Sequence, residues 1–219
     1  MHRTIGLTFM NSGTIQIRWV FLLYLLLLVG HVAGAVSASQ SSPGDEPGTA
    51  WTVEAVVAAL KEARESSVSY EEVTYSSLLS APLTARGLLR FTPPSLLEKH
   101  VLEPYRERYT IEGDQVTFDS ERRRVKKTIS LTDYPALRSF VEAFRAGFTG
   151  DAGRLRQSYE LNLQGTRHKW TLVLRPLDPA GKSMVEDISF SGSEGQIGTI
   201  VTRAPDGDRS VMTLRREAR

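Results

Sequence analysis

Residues 133–148 read DYPALRSFVEAFRAGF. The apolar positions Leu137, Phe140, Val141, Phe144 and Phe148 stand at offsets 0, 3, 4, 7 and 11, which lays them along one stripe of a 3.6-residue helix. Asp133 is placed to cap its start, Pro135 suits the first turn, where a missing N–H costs nothing, and Gly147 and Gly150 are expected to stop it. The chain on both sides alternates with period two, so one aromatic-faced helix is expected to lie across a largely β chain. Its oily stripe can cover the mouth of an apolar cavity, or it can pack on a sheet as ordinary core.

Working outward, Thr52 is a cap for a second helix through Arg64, with Val53, Val56, Val57, Leu60 and Ala63 on one face. From Val68 the composition turns β-branched and aromatic, punctuated by turn signals. Strands are predicted over Val68–Leu79, Leu83–Phe91, Glu98–Leu102, Arg106–Glu112, Gln115–Asp119 and Arg123–Ile129. After the aromatic helix and a helical turn at Asp151–Arg156, five more follow, over Tyr159–Leu163, Lys169–Arg175, Val185–Ser191, Gln196–Thr202 and Ser210–Arg216. Gly113-Asp114, Gly192 to Gly195 and Asp206-Gly207 mark hairpins, the last reading as a two-residue turn, and Pro93-Pro94 ends the second strand.

Several strands have one apolar face. Trp170, Leu172 and Leu174 oppose Lys169, Thr171 and Arg175; Leu83, Ala85, Gly87, Leu89 and Phe91 oppose Thr84, Arg86 and Arg90. Val116 with Phe118, and Ile188 with Phe190, repeat the pattern. A one-sided sheet must be covered, and two useful helices are too few to cover eleven strands laid flat. The expected fold is therefore α+β and mostly β: a strongly curved antiparallel sheet of about eleven strands, an incomplete barrel, with helices across its concave side.

The first residues carry Arg3 and Arg18, no acid, the apolar run Val20–Val29, and small residues around Ala35 and Ala38. This is the layout of a cleavable signal peptide over residues 1–38, with cleavage after Ala35 or Ala38, and it predicts export to the periplasm. The stretch from Trp19 to Ala35 is interrupted by Gly30 and His31 and falls short of the ~20 apolar residues of a spanning helix. Residues 39–50, rich in Ser, Pro and Gly, are expected to be a disordered lead-in, and residues 51–219 a single domain. Two of the 27 basic residues lie in the leader, which leaves 25 against 25 acids; this balance argues against nucleic acid as a partner. With no cysteine, there is neither a disulfide framework nor a lipidated anchor, and a monomer standing on its core is expected.

Enzyme signatures are missing. Beyond the leader only His100 and His168 remain, with no metal-ligand spacing; Ser193 sits in a Gly-Ser-Glu-Gly turn; Glu71 and Glu72 are strand neighbours and so point to opposite faces. No catalysis, metal or cofactor is expected. The run Arg122-Arg123-Arg124 with Lys126-Lys127 reads either as a solvated strand that discourages edge pairing or as a rim attracting anionic head groups or an acidic partner.

Taken together, Tyr70-x-Glu72, Leu78-Leu79, Pro82-Leu83, Gly87-x-Leu89-x-Phe91-x-x-Pro94-x-x-Leu97, Gly113-Asp114, Trp170-x-Leu172-x-Leu174-x-Pro176 and Gly207-Asp208-Arg209-Ser210 resemble the LolA-like periplasmic outer-membrane lipoprotein carriers, more closely a divergent branch. The resemblance covers Val53 to Leu214 and rests on order and spacing rather than on one motif. It implies a bent, incompletely closed barrel with helices inside or across its opening. It further implies that acyl chains are shielded between an inner-membrane releasing complex and an outer-membrane receptor. Conventional carriers latch the lid through an arginine just before the proline that ends the Gly-x-Leu strand; here that position is Pro93, which has no donor. Either another group closes this lid or the loading cycle differs.

The expected function is a non-enzymatic periplasmic carrier of an acylated lipoprotein or lipid. Its cavity would be walled by Leu83, Ala85, Leu89, Phe91, Val116, Phe118, Trp170, Leu172, Leu174, Ile188 and Phe190, with Leu137, Phe140, Val141, Phe144 and Phe148 as the lid. The alternative is an interaction or scaffold protein with the same fold and a filled interior.

Overall fold

The computed structural model describes residues 51–62, 67–92 and 95–215, and for Phe148 only the backbone. The leader, the lead-in, the Pro93-Pro94 strand end and the residues expected to finish the first helix and the last strand lie outside the described residues.

Eleven strands form one antiparallel sheet: β1 (Ser67–Tyr75), β2 (Leu83–Thr92), β3 (Leu96–Glu103), β4 (Glu107–Glu112), β5 (Gln115–Ser120), β6 (Val125–Ser130), β7 (Tyr159–Thr166), β8 (Lys169–Pro176), β9 (Asp187–Ser193), β10 (Gln196–Arg203) and β11 (Arg209–Arg215). Their order is β6-β5-β4-β3-β2-β1-β11-β10-β9-β8-β7. The first strand pairs with the last, Glu72 opposite Met212, so the meander curls back on itself and leaves β6 and β7 as edges. Helices α1 (Val53–Glu62), α2 (Pro135–Thr149), α3 (Ala152–Ser158) and α4 (Pro179–Met184) complete the fold. The chain from β6 to β7 runs through α2 and α3, so these helices form the connection between the two edge strands.

The alternation is visible in the burial of β2, where Ala85, Gly87, Leu89 and Phe91 are inside while Thr84, Arg86 and Arg90 face out. Trp170 is 1% exposed, and its indole N–H donates to the Glu194 carbonyl at 2.9 Å. That seat requires Gly192, because a Cβ there would stand 2.0 Å from the Gln196 carbonyl oxygen and 2.8 Å from the indole. Thr52 caps α1 as expected, accepting from the Ala55 N–H at 3.2 Å.

Four local expectations are corrected. Asp133 does not cap the aromatic helix; it ends a 3-10 turn, Leu131–Asp133, and Tyr134 is the N-cap without a side-chain bond. Pro135 disfavours helical dihedrals at the residue before it, so Tyr134 has to be the break. Gly147 lies within α2, and Gly150 alone stops it, with φ 81° and its N–H bonded to the Ala146 carbonyl. The β10–β11 connection is a five-residue loop rather than a two-residue turn, because the last pair is Arg203–Arg209 and the Ala204 N–H reaches the Asp208 carbonyl at 2.7 Å. Finally, β1 stops at Tyr75, since the Ser76 hydroxyl accepts from the Leu78 N–H and turns the chain there. The short helix α4 was not anticipated, although Asp178 caps it through the Gly181 N–H and Pro179 opens it.

Candidate functional site

Under α2 lies a cavity of about 120 Å³. Leu137, Phe140, Val141 and Phe144 of α2 form its roof, and Met184 of α4 closes one side. The barrel supplies Leu89, Leu97, Tyr109, Ile111, Ile200 and Met212 as apolar wall. A second, smaller void of about 20 Å³ is lined by Val57, Leu60, Leu155, Leu172, Leu174 and Phe190 among others, and Phe144 borders both. Phe144 contacts Phe140 at 5.0 Å and meets Phe190 edge-on at 5.5 Å between ring centroids, so it is the partition.

The expected wall residues distribute unevenly. Leu89 lines the larger cavity, and Leu172, Leu174 and Phe190 the smaller. Val116, Trp170 and Ile188 are packed into the main core; Phe91 packs with Tyr70, Leu89 and Leu97; Ala85 and Phe118 pack with Val101 and Tyr109. Leu83 begins β2 half-buried. Of the roof residues, all but Phe148 are placed on the cavity, and the side chain of Phe148 lies outside the described residues.

The wall also carries charge that alternation alone did not reveal. Glu72, 2% exposed, accepts from the Ser210 hydroxyl at 2.5 Å and from the Lys99 ammonium, and all three line the larger cavity together with Thr202. The Lys99 ammonium stands 5.2 Å over the Tyr70 ring. A carboxylate inside an apolar barrel is tolerated only with such partners. Burial, reinforced by the Glu72 and Glu107 carboxylates, pushes the Tyr70 phenol well above its ordinary range, and burial with Glu107 does the same to Tyr109. The Tyr109 hydroxyl donates to Glu107 at 3.1 Å, whereas the Tyr70 hydroxyl is buried without a partner.

The roof is fastened at several points. Arg145 donates to the Gly113 carbonyl in the β4–β5 turn and to Glu142 at 3.2 Å. Nearer the start of α2, the Tyr159 hydroxyl donates to the Ser139 carbonyl at 2.8 Å, and the Ser139 hydroxyl to Asp178 at 3.1 Å. An arginine on the helix thus reaches the barrel, supplying a clasp that Pro93 has no N–H to make.

No cluster of three or more His, Asp or Glu side chains suited to a metal is present among the described residues, and no described helix is long and apolar enough to cross a membrane. His100 sits on β3, 3.1 Å from Glu98, and His168 lies exposed in the β7–β8 turn.

The family model described as outer membrane lipoprotein carrier protein, LolA-like, matches residues 46–219. No curated protein matches the chain. Among solved structures, a LolA superfamily protein from Nitrosomonas europaea is similar at 12% identity and a TM-score of 0.42, covering 78% of this chain and 96% of that one. A DUF1329 family protein from Desulfovibrio piger is similar at 11% identity and 0.42, over 74% and 89% of the two chains. LprF from Mycobacterium bovis is similar at 10% identity and 0.34, over 74% and 90%.

Proposed function

Because the chain belongs to the LolA-like outer membrane lipoprotein carrier family, we propose that it is a periplasmic, non-enzymatic carrier that takes the acyl part of a lipoprotein or lipid beneath α2 and moves it toward the outer membrane. The observation that carries this reading is the apolar cavity inside the curved sheet whose roof is one amphipathic helix. Ligand pockets commonly hold about 300–1,000 Å³, and about 120 Å³ is room for only part of an acyl chain. Loading therefore requires α2 to move. Each methylene that the opened cavity shields contributes about 0.8 kcal/mol, so half of one chain supplies several kcal/mol before ordering costs.

Delipidated protein titrated with a fluorescent fatty acid and with a triacylated lipopeptide tests this; saturable binding of either is expected, and binding of neither overturns it. The reading left in that case is a scaffold, favoured by the tight packing of the β8–β9 half, where only about 20 Å³ stays empty.

The clasp gives a second prediction. A hydrogen bond from a charged donor is worth about 1.5–3 kcal/mol, and a carrier that must open first binds more weakly by its open fraction. Arg145→Ala is expected to capture lipopeptide about tenfold faster or more tightly than wild type. Unchanged rate and affinity would show that Arg145 does not hold the roof down.

A further inference from the structure

Five large hydrophobic side chains are exposed among the described residues: Leu78 (68%), Leu79 (38%), Leu102 (49%), Tyr105 (49%) and Leu177 (48%). All five lie at one end of the barrel. In an antiparallel meander alternate connections share an end, and the β1–β11 pairing, with Tyr75 opposite Arg209, carries that rule across the closure. Residues 76–82, 104–106, 121–124, 177–186 and 204–208 are therefore neighbouring loops of one rim, and the Ser77 N–H reaches the Asp208 carboxylate at 3.4 Å across two of them. At the opposite end the described turns Gly113-Asp114, Arg167-His168 and Glu194-Gly195 carry no apolar side chain of this size.

One sector of this rim, the β3–β4 and β5–β6 loops, concentrates positive charge, whereas the loops at 177–186 and 204–208 carry Asp178, Glu186, Asp206 and Asp208. Arg106 sits beside Tyr105, and Arg122, Arg123 and Arg124 form the β5–β6 turn, with Glu121 as the one acid among these two loops. The Arg122 guanidinium stacks 3.7 Å above the Tyr105 ring centroid, which joins the cationic loop to the apolar one. Arg123 leans on Glu107 at 3.9 Å, while the described contacts of Arg122 leave its charge without a carboxylate.

We propose that this end of the barrel docks on an anionic lipid bilayer. The leucines at the loop tips enter the boundary between head groups and acyl chains, and the arginines lie on phosphates. The apolar tips are spread over three places on the rim, Leu78 and Leu79 between β1 and β2, Leu102 and Tyr105 around the end of β3, and Leu177 after β8; a protein partner would offer better burial to a contiguous patch with a central anchor. The charge run singled out in the sequence thus belongs to the rim through its three arginines, while Lys126 and Lys127 lie on the edge strand β6. None of the exposed leucines, Tyr105 or the three turn arginines lines the cavity, so docking stands or falls independently of acyl capture.

The test is co-sedimentation of the full chain with vesicles of equal parts phosphatidylglycerol and phosphatidylcholine, and with phosphatidylcholine alone. Wild type and variants are all purified as exported protein, so that they share one processed N-terminus. Expected are preferential binding to the anionic vesicles and weakening as salt rises. Leu78→Ser with Leu79→Ser should weaken binding at least about tenfold, and Arg122→Glu with Arg124→Glu by a similar factor. Both should leave lipopeptide capture unchanged. Wild type that ignores anionic vesicles overturns the proposal, as does binding that both variants retain in full; retention on native membranes only while proteins are present would point instead to a receptor. If the leucine variant fails to fold, the arginine variant, which alters only turn side chains, decides.

Discussion

Replacing Lys99 by methionine is expected to cost the fold about 3–5 kcal/mol, because Glu72, 2% exposed, would lose its counter-ion inside the barrel. The ammonium bonds the carboxylate from two strands away, so the pair ties β1 to β3 across β2. What remains to Glu72 is the Ser210 hydroxyl, a neutral donor that cannot offset a buried negative charge. The double change Lys99→Met with Glu72→Leu should recover most of the loss, since an apolar pair of similar volume no longer buries a charge. Urea unfolding of wild type, single and double variants measures this. Equal midpoints for wild type and Lys99→Met would mean that the carboxylate is hydrated, and the buried charge pair described in the cavity wall would have to be abandoned.

Replacing Phe140 by glutamate is expected to abolish acyl capture, weakening it by at least about a hundredfold, while the protein still folds. Phe140 is half-buried in the closed state, so a glutamate there can turn toward water when the cavity is empty. It cannot do so once a chain lies beneath α2, where an unpaired carboxylate would have to be desolvated or the chain excluded. Phe140→Leu, which keeps an apolar roof, should bind within a few-fold of wild type. Lipopeptide titration of the three proteins, with circular dichroism as the folding control, separates the outcomes. Glutamate-bearing protein that folds normally and captures lipid as well as wild type would remove α2 from the site.

The strand count, the order of the strands and the aromatic helix were all legible, because each rests on periodicity and turn chemistry that act within a few residues. The apolar face of β2 and the Trp170–Leu174 face of β8 point inward as alternation requires. The cavity itself was much less legible. Only Leu89 among the expected wall residues borders the larger space; Leu97, Ile111, Ile200, Met212 and Met184 were not expected in the wall. Most of these stand on strands whose two faces differ little in polarity, such as β11 with its run of half-buried residues, and Met184 belongs to a six-residue helix. The Asp178-Pro179 pair was an available signal for that helix and its neighbour Met184.

Alternation by itself determined that Glu71 and Glu72 part company, and hydrophobic spacing by itself determined which stripe of α2 is oily. Neither could tell which glutamate goes inside, or how much of the hollow the protein fills with its own side chains. Those outcomes depend on contacts between residues far apart in the chain: Lys99 and Ser210 arriving at Glu72, and α1, α2 and α3 crowding the β8–β9 half while the β1–β3 and β10–β11 walls stay apart. Local pattern sets the direction of a side chain, whereas the volume left between facing walls is fixed only when the sheet has curved and closed.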